Sequence, residues 1–188
     1  MELEEKVKIF EKELGFIINE EIRDCTIQVL DKVNDKFFTE PASSTGKYHP
    51  NYALGEGGLV RHTKAAVKIA NDLLHLENSQ FNSDEADLII AALILHDTCK
   101  SGIEWESKYS KHEHPLLAKE LIENCFKENI LYSKEYVKEV GRLVASHMGQ
   151  WTTCKWSYIK LPKPEDNMEN FVHICDYLAS RKYLEVTL

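Results

Sequence analysis

The residues best suited to do chemistry in this 188-residue chain are an adjacent pair, His96-Asp97. Four further groups recur along the chain in positions where side chains can converge: His62, His114, His147 and Asp176. Neutral imidazoles and ionised carboxylates together form a nitrogen and oxygen donor set. Such a set suits Mn²⁺, Fe²⁺, Co²⁺, Ni²⁺ or Zn²⁺ better than Ca²⁺. Mg²⁺ is the remaining option. Ions held this way polarise a phosphoryl oxygen, lower the pKa of bound water and steady a leaving oxygen.

The elements that must position these groups read as helices. Leu3, Val7, Phe10 and Leu14 make one stripe over 2–14, and Ile22, Thr26, Val29, Leu30, Val33 and Phe37 continue helically over 20–38. Residues 39–58 form a long loop rich in Pro, Ser, Gly and Tyr. A helix over 59–76 carries His62 near its start. Asn82 with Glu85 makes a capping box for the next helix, which runs to about Asp97 and is apolar on nearly every side. His96-Asp97 therefore falls at the end of a buried helix. Neighbouring residues on a helix point about 100° apart, so the two could approach one ion only where the last turn adjusts. An aspartate at the end of so apolar a helix is costly unless a cation offsets it.

His114 directly precedes Pro115, which suits the first turn of a helix to about Lys127. His112 is a rival ligand; His114 is favoured because it abuts the helix. Ser133 opens a helix ending at His147. Asp166 with Glu169 opens another to about Tyr183 that contains His173 and Asp176. No segment alternates with period two. The expectation is an all-α fold of about seven helices, with N-terminal helices 1–38 packed on a core of 39–188.

Bulk properties narrow the partners. Hydrophobic residues are 43% and charged residues 29%, an ordinary globular balance. The longest apolar run, Leu88–Leu95, is far too short to span a bilayer, and the start Met1-Glu2-Leu3-Glu4-Glu5 has neither the basic nor the apolar part of a signal peptide. Five cysteines without a C-x-x-C pair fit reduced thiols in a cytoplasm. The net charge of -8 would repel a long polyanion, so long nucleic acid is not the expected partner, whereas a small phosphorylated substrate is.

The ordered set His62, His96-Asp97, His114, His147, Asp176 resembles the HD-domain superfamily of metal-dependent phosphohydrolases. Gly57-Gly58-Leu59-Val60-Arg61-His62-Thr63 is similar to its first histidine segment, and Ala92–Lys100 to its defining His-Asp element. His114-Pro115-Leu116-Leu117, Ser146-His147 and Asp176-Tyr177-Leu178 resemble the later ones, over about residues 48–181. Cys99 stands where the family often has glycine. The resemblance implies one or two divalent ions, with His62, His96, Asp97 and Asp176 holding one and His114 and His147, sharing Asp97, holding a second. It implies a helical bundle of HD type and hydrolysis of a nucleotide or short oligonucleotide phosphoester by metal-bound hydroxide.

Asp97 and Lys100 are the candidate catalytic groups. Lys100, Arg61 and Arg181 are candidates for phosphate contact, each also readable as a solvated or ion-paired side chain. Tyr48, His49 and Tyr52 would shape the pocket. Trp151 is a candidate for stacking a nucleobase, and Trp156 lies in the same irregular stretch; an ordinary role in covering the core is the competing reading. Two other functions share the ligand set: a di-iron oxygenase of HD-like fold, and a non-catalytic nucleotide sensor stabilised by metal.

Overall fold

A computed structural model of the chain describes residues 1–43, 46, 49–128, 130–184 and 186, with the side chains of 130–133 left out of the description. Among the described residues there is no strand, and nine α-helices follow one another: α1 (Leu3–Ile9), α2 (Glu11–Leu14), α3 (Glu20–Lys32), α4 (Lys36–Thr39), α5 (Gly58–Leu74), α6 (Ser83–Leu95), α7 (His114–Cys125), α8 (Ile130–Ser146) and α9 (Asn167–Ala179). None is long and apolar enough to cross a membrane.

The apolar stripes became helices where the sequence placed them, but two run shorter than their stripes. The first breaks at Phe10, which caps both α1 and α2. The second breaks after Lys32 because Val33 turns extended, at φ -66 and ψ 133, and the Asn34 side chain accepts from the Lys36 amide at 3.0 Å. A short polar side chain that bonds its own backbone in this way competes with helix continuation. At Asn82 the capping box is complete. Its side chain accepts from Glu85 N at 3.0 Å, and Glu85 returns an acceptor to Asn82 N at 2.9 Å. At α9 only half the box forms: Asp166 accepts from Glu169 N, while the Glu169 carboxylate turns to Glu165 N at 2.6 Å. Helix α9 stops at Ala179, earlier than its apolar pattern suggests, and α8 begins at Ile130, earlier than Ser133.

Helix α6 is the axis of the bundle. Every residue from Ile89 to Leu95 is at most 2% exposed. It packs against α3, α5, α8 and α9, and one hydrophobic core runs from Phe10 and Ile17 in the N-terminal part through α6 to Cys175 and Ala179. Burying each such Leu or Ile side chain is worth about 1.5–3 kcal/mol, so α6 is the element least free to move. The entry to α5 needs its glycines. Gly57 sits at φ +67, and a Cβ on Gly58 would lie 2.2 Å from the Ala53 carbonyl oxygen, at the end of a 3-10 turn over Asn51–Ala53. That close approach fixes α5, and with it His62, against the long loop.

Candidate metal centre

Five element ends converge on one buried point. His62 comes from the first turns of α5, His96 caps α6 and Asp97 follows it, His114 opens α7, His147 follows α8, and Asp176 lies in α9. Together they form two triads, His62–His96–Asp176 and Asp97–His114–His147, with the potential donor atoms of each triad within 4.8 Å of one another. All four histidines and Asp97 are buried, and Asp176 is partly so.

The adjacent pair His96-Asp97 divides between the triads, which sequence spacing alone left open. His96 Nε2 lies 3.5 Å from Asp176 Oδ1, and His62 Nε2 lies 2.9 Å from the same oxygen. Asp97 Oδ1 faces His114 Nε2 at 3.1 Å and His147 Nε2 at 3.8 Å. Its other oxygen, Oδ2, faces His96 Nε2 at 3.6 Å and His62 Nε2 at 3.8 Å, and accepts from the Lys100 ammonium. Asp97 is thus the one carboxylate of the two triads that borders both.

Three imidazoles are held in a single tautomer by their own backbone. His96 Nδ1 meets the Leu93 carbonyl, His114 Nδ1 meets that of Lys111, and His147 Nδ1 meets that of Val144, each at 2.7 Å and each three residues back. A carbonyl only accepts, so each Nδ1 donates, which leaves each ring in its neutral form aiming a bare Nε2 lone pair inward. His114 Nε2 and His147 Nε2 then stand 3.2 Å apart with Asp97 Oδ1 beside them. Three acceptors meeting with no hydrogen between them need a cation. His96 Nε2 is likewise buried without a hydrogen-bond partner. The donor set fits a divalent transition metal, and a metal ligand anchored through its second nitrogen is the usual arrangement.

Electrostatics keep His147 and the two carboxylates in ligating form, and at His96 they favour a proton where no metal is bound. Burial, reinforced by His96 and His114, lowers the His147 pKa to about 3, so its ring stays neutral. Burial alone would raise Asp97, but Lys100, His96 and His114 hold its carboxyl well below the usual range. Asp176 likewise resists burial through His62 and His96 and stays low. For His96 burial pulls downward, and Asp97 and Asp176 outweigh it and raise the value.

The centre opens on a cavity of about 620 Å³. Lys100, Arg181 and Trp151 all line it. Trp151 stacks on Tyr177, with ring centroids 5.6 Å apart and planes 15° apart, and the Arg181 guanidinium packs 4.1 Å from the Tyr177 ring centroid. His49 also lines the cavity; its ring packs edge-on against His62 at 5.1 Å, and burial followed by His62 and Lys100 lowers its pKa to about 3. Tyr177 is a wall residue that sequence reasoning passed over. Its signal was its place beside Asp176 and four residues before Arg181.

Two expected residues sit elsewhere. Arg61 does not line the cavity; its guanidinium donates to the carbonyls of Tyr52 at 2.5 Å and Leu54 at 2.9 Å, tying the long loop to α5. The Tyr52 hydroxyl donates to Ala179 O at 2.6 Å and is likewise spent on the scaffold. Tyr48 lies outside the described residues. The rivalry between His112 and His114 is resolved by geometry: His112 Nε2 reaches the carbonyls of Thr152 and Ile159 at 3.3 and 3.2 Å and joins neither triad.

His173 supports the centre from outside. Its Nδ1 donates to the His147 carbonyl at 2.8 Å, and its ring fills the space above Gly149, which sits at φ +60. A Cβ at Gly149 would fall 2.2 Å from His173 Cε1. Gly149→Ala is expected to destabilise the protein by about 1–3 kcal/mol, the usual cost of forcing a side chain into left-handed backbone, and to displace His173. An unchanged melting temperature would refute this account of the turn.

In comparison with known families, residues 57–181 match the HD domain model. No curated protein and no solved structure matches the chain.

Proposed function

Because the chain belongs to the HD domain family, we propose that it is a metal-dependent phosphohydrolase cleaving phosphate mono- or diesters of a nucleotide or short oligonucleotide. The observation that carries this reading is the pair of buried His/Asp triads bordered by Asp97 and opening on a cavity with cationic and aromatic walls. Divalent ions held there would supply Lewis acidity toward a phosphoryl oxygen and an activated water. His62, His96 and Asp176 would hold one ion, His114 and His147 the other, with Asp97 shared. The chain supplies the rest. The Lys100 ammonium, at the cavity wall and paired with Asp97, is placed to neutralise charge on the phosphoryl group. Arg181, braced on Tyr177 with its Nη2 donating to Ser180 Oγ at 2.8 Å, presents a second cation on the same wall. The exposed edge of Trp151, backed by Tyr177, offers a face to a base or another flat group. The five cysteines are unpaired, which suits a reducing compartment such as the cytoplasm.

The test is a panel of phosphate mono- and diesters, offered to protein loaded with Mn²⁺, Co²⁺, Ni²⁺ or Mg²⁺. Release of phosphate or nucleoside that depends on the metal is expected. Metal-occupied protein that turns over no member of the panel would end this reading.

A further inference from the structure

The net charge of the whole chain is -8, yet residues 149–164 carry Lys155, Lys160 and Lys163 and no acid. The three lysines are exposed and make no ion pair among the described residues. Between them stand Trp156 and Tyr158, 93% and 109% exposed, the barest aromatics described. A stretch that only covers the core would turn these rings inward. This one is built to present them. Leu161 and Thr152 are buried and joined by the bond from Leu161 N to Thr152 O at 2.9 Å. His112 grips the same loop from α7's side through the carbonyls of Thr152 and Ile159. A bridge pairs Cys154 with Ser157, closing a tight turn that has Lys155 and Trp156 at its tip. The root of the loop belongs to the cavity: Trp151, Thr153 and Cys154 line it. Trp156 is two residues beyond Cys154, no more than about 7 Å of chain.

Alternating aromatic faces and unpaired lysines, continuous with a phosphoester-sized cavity, match the chemistry of single-stranded nucleic acid. Bases stack on rings irrespective of sequence, and lysines follow the phosphates. We propose that the loop over 152–161 is the landing surface for a single strand of DNA or RNA, whose end enters the cavity while the following nucleotides lie across Trp156 and Tyr158. This rests on the phosphohydrolase reading and narrows its substrate to a strand several nucleotides long. Net charge pointed away from polyanions because it averages over the molecule; the loop is a local exception to that average.

The experiment measures fluorescence anisotropy of labelled, phosphorothioate-linked oligo-dT and oligo-U, from 2 to 12 nucleotides, with the metal-loaded full chain. Affinity is expected to climb with length. In W156A/Y158A the climb should flatten, with 12-mer binding weakened about tenfold or more. In K155Q/K160Q/K163Q, an independent check should the aromatic variant fold poorly, the slope of log affinity against log salt should shrink by about 2. Wild-type affinity that does not grow with length, or variants that bind the 12-mer as wild type does, would overturn the proposal. So would sedimentation of the protein with phosphatidylcholine/phosphatidylserine vesicles without strand binding, which would make the loop a membrane contact. A protein that grips the strand but hydrolyses no phosphoester refutes only the hydrolase reading. One that hydrolyses small esters but grips no strand refutes only this inference.

Discussion

Asp97→Asn should empty both halves of the metal centre and cut turnover by more than about a hundredfold, the upper end of what loss of a mere ligand-supporting residue costs. The reasoning is geometric. Asp97 Oδ1 belongs with His114 and His147, and Oδ2 borders His62 and His96. An amide keeps the volume but removes the negative charge and one acceptor, so neither ion retains its anionic neighbour on that side. His147→Ala touches one triad only. It should lower metal content from two ions per chain toward one, whereas Asp97→Asn should lower it toward none. Elemental analysis of the purified proteins, together with turnover of a responsive ester, checks both. Asp97→Asn protein that keeps two ions would show that the carboxylate does not bridge the centre. Comparing melting curves separates loss of metal from loss of fold.

Stripping the metal with a chelator should lower the melting temperature by about 5–10 °C. An ion present at a hundred times its dissociation constant stabilises a fold by about 2.7 kcal/mol, and each kcal/mol moves the midpoint of a domain this size by about 2–4 °C. The unsatisfied buried nitrogen of His96 and the facing lone pairs of His114 and His147 are what the ion compensates. The size of the drop should depend on pH, and the sign follows from proton linkage. In the metal-free protein His96 has a raised pKa, above its ordinary 6.5. Its protonated form therefore adds stability that is full below about 6.5 and disappears as pH rises through the raised value. Asp97 and Asp176 are depressed, so their contribution is present above the ordinary carboxylate range and is lost only in strong acid. Between those limits a proton on His96 partly does the metal's work. The chelator should consequently cost more stability at pH 8 than at pH 6. Calorimetric scans with and without chelator at the two values measure this, and a larger drop at pH 6 would contradict it.

What could be read from sequence and what could not divide along the range of the interactions. The Asn82–Glu85 capping box, the apolar girth of α6 and the placing of His96-Asp97 at its end are local properties of a few neighbouring residues, and the structure has them as expected. The ordered histidines and aspartates pointed to one cavity, and the structure brings all six together. The resemblance already set His62, His96 and Asp176 apart from His114 and His147 with Asp97 shared. That Asp97 sits closest to His114 among the four histidines, and which of its oxygens faces which triad, needed three dimensions, because it depends on which way α6 faces when it ends. The breaks at Phe10 and Val33 were hidden because apolar periodicity carries straight through them. Arg61 was misread for a similar reason: beside His62 in sequence it resembles a phosphate contact, but a loop folded back from Tyr52 and Leu54 claims its guanidinium. Trp156 and Trp151 looked alike in sequence, and only burial distinguishes a ring stacked on Tyr177 from one held out in solvent.

The six donors come from five separate helices or their ends, α5 through α9, while α1 to α4 contribute none. A centre assembled that way acts as a knot among the later helices. An ion in it would forbid any one of those helices to open without breaking ligation, so their amides would exchange with solvent hydrogen as a single cooperative unit. The N-terminal helices, tied in by apolar packing and by polar links such as the Ile18 and Asn19 amides on Asp87 and the Lys64–Glu13 ion pair, contribute no ligand and would keep their own, lower threshold for opening. Metal occupancy would then set how many independent units the fold has, as well as how stable it is.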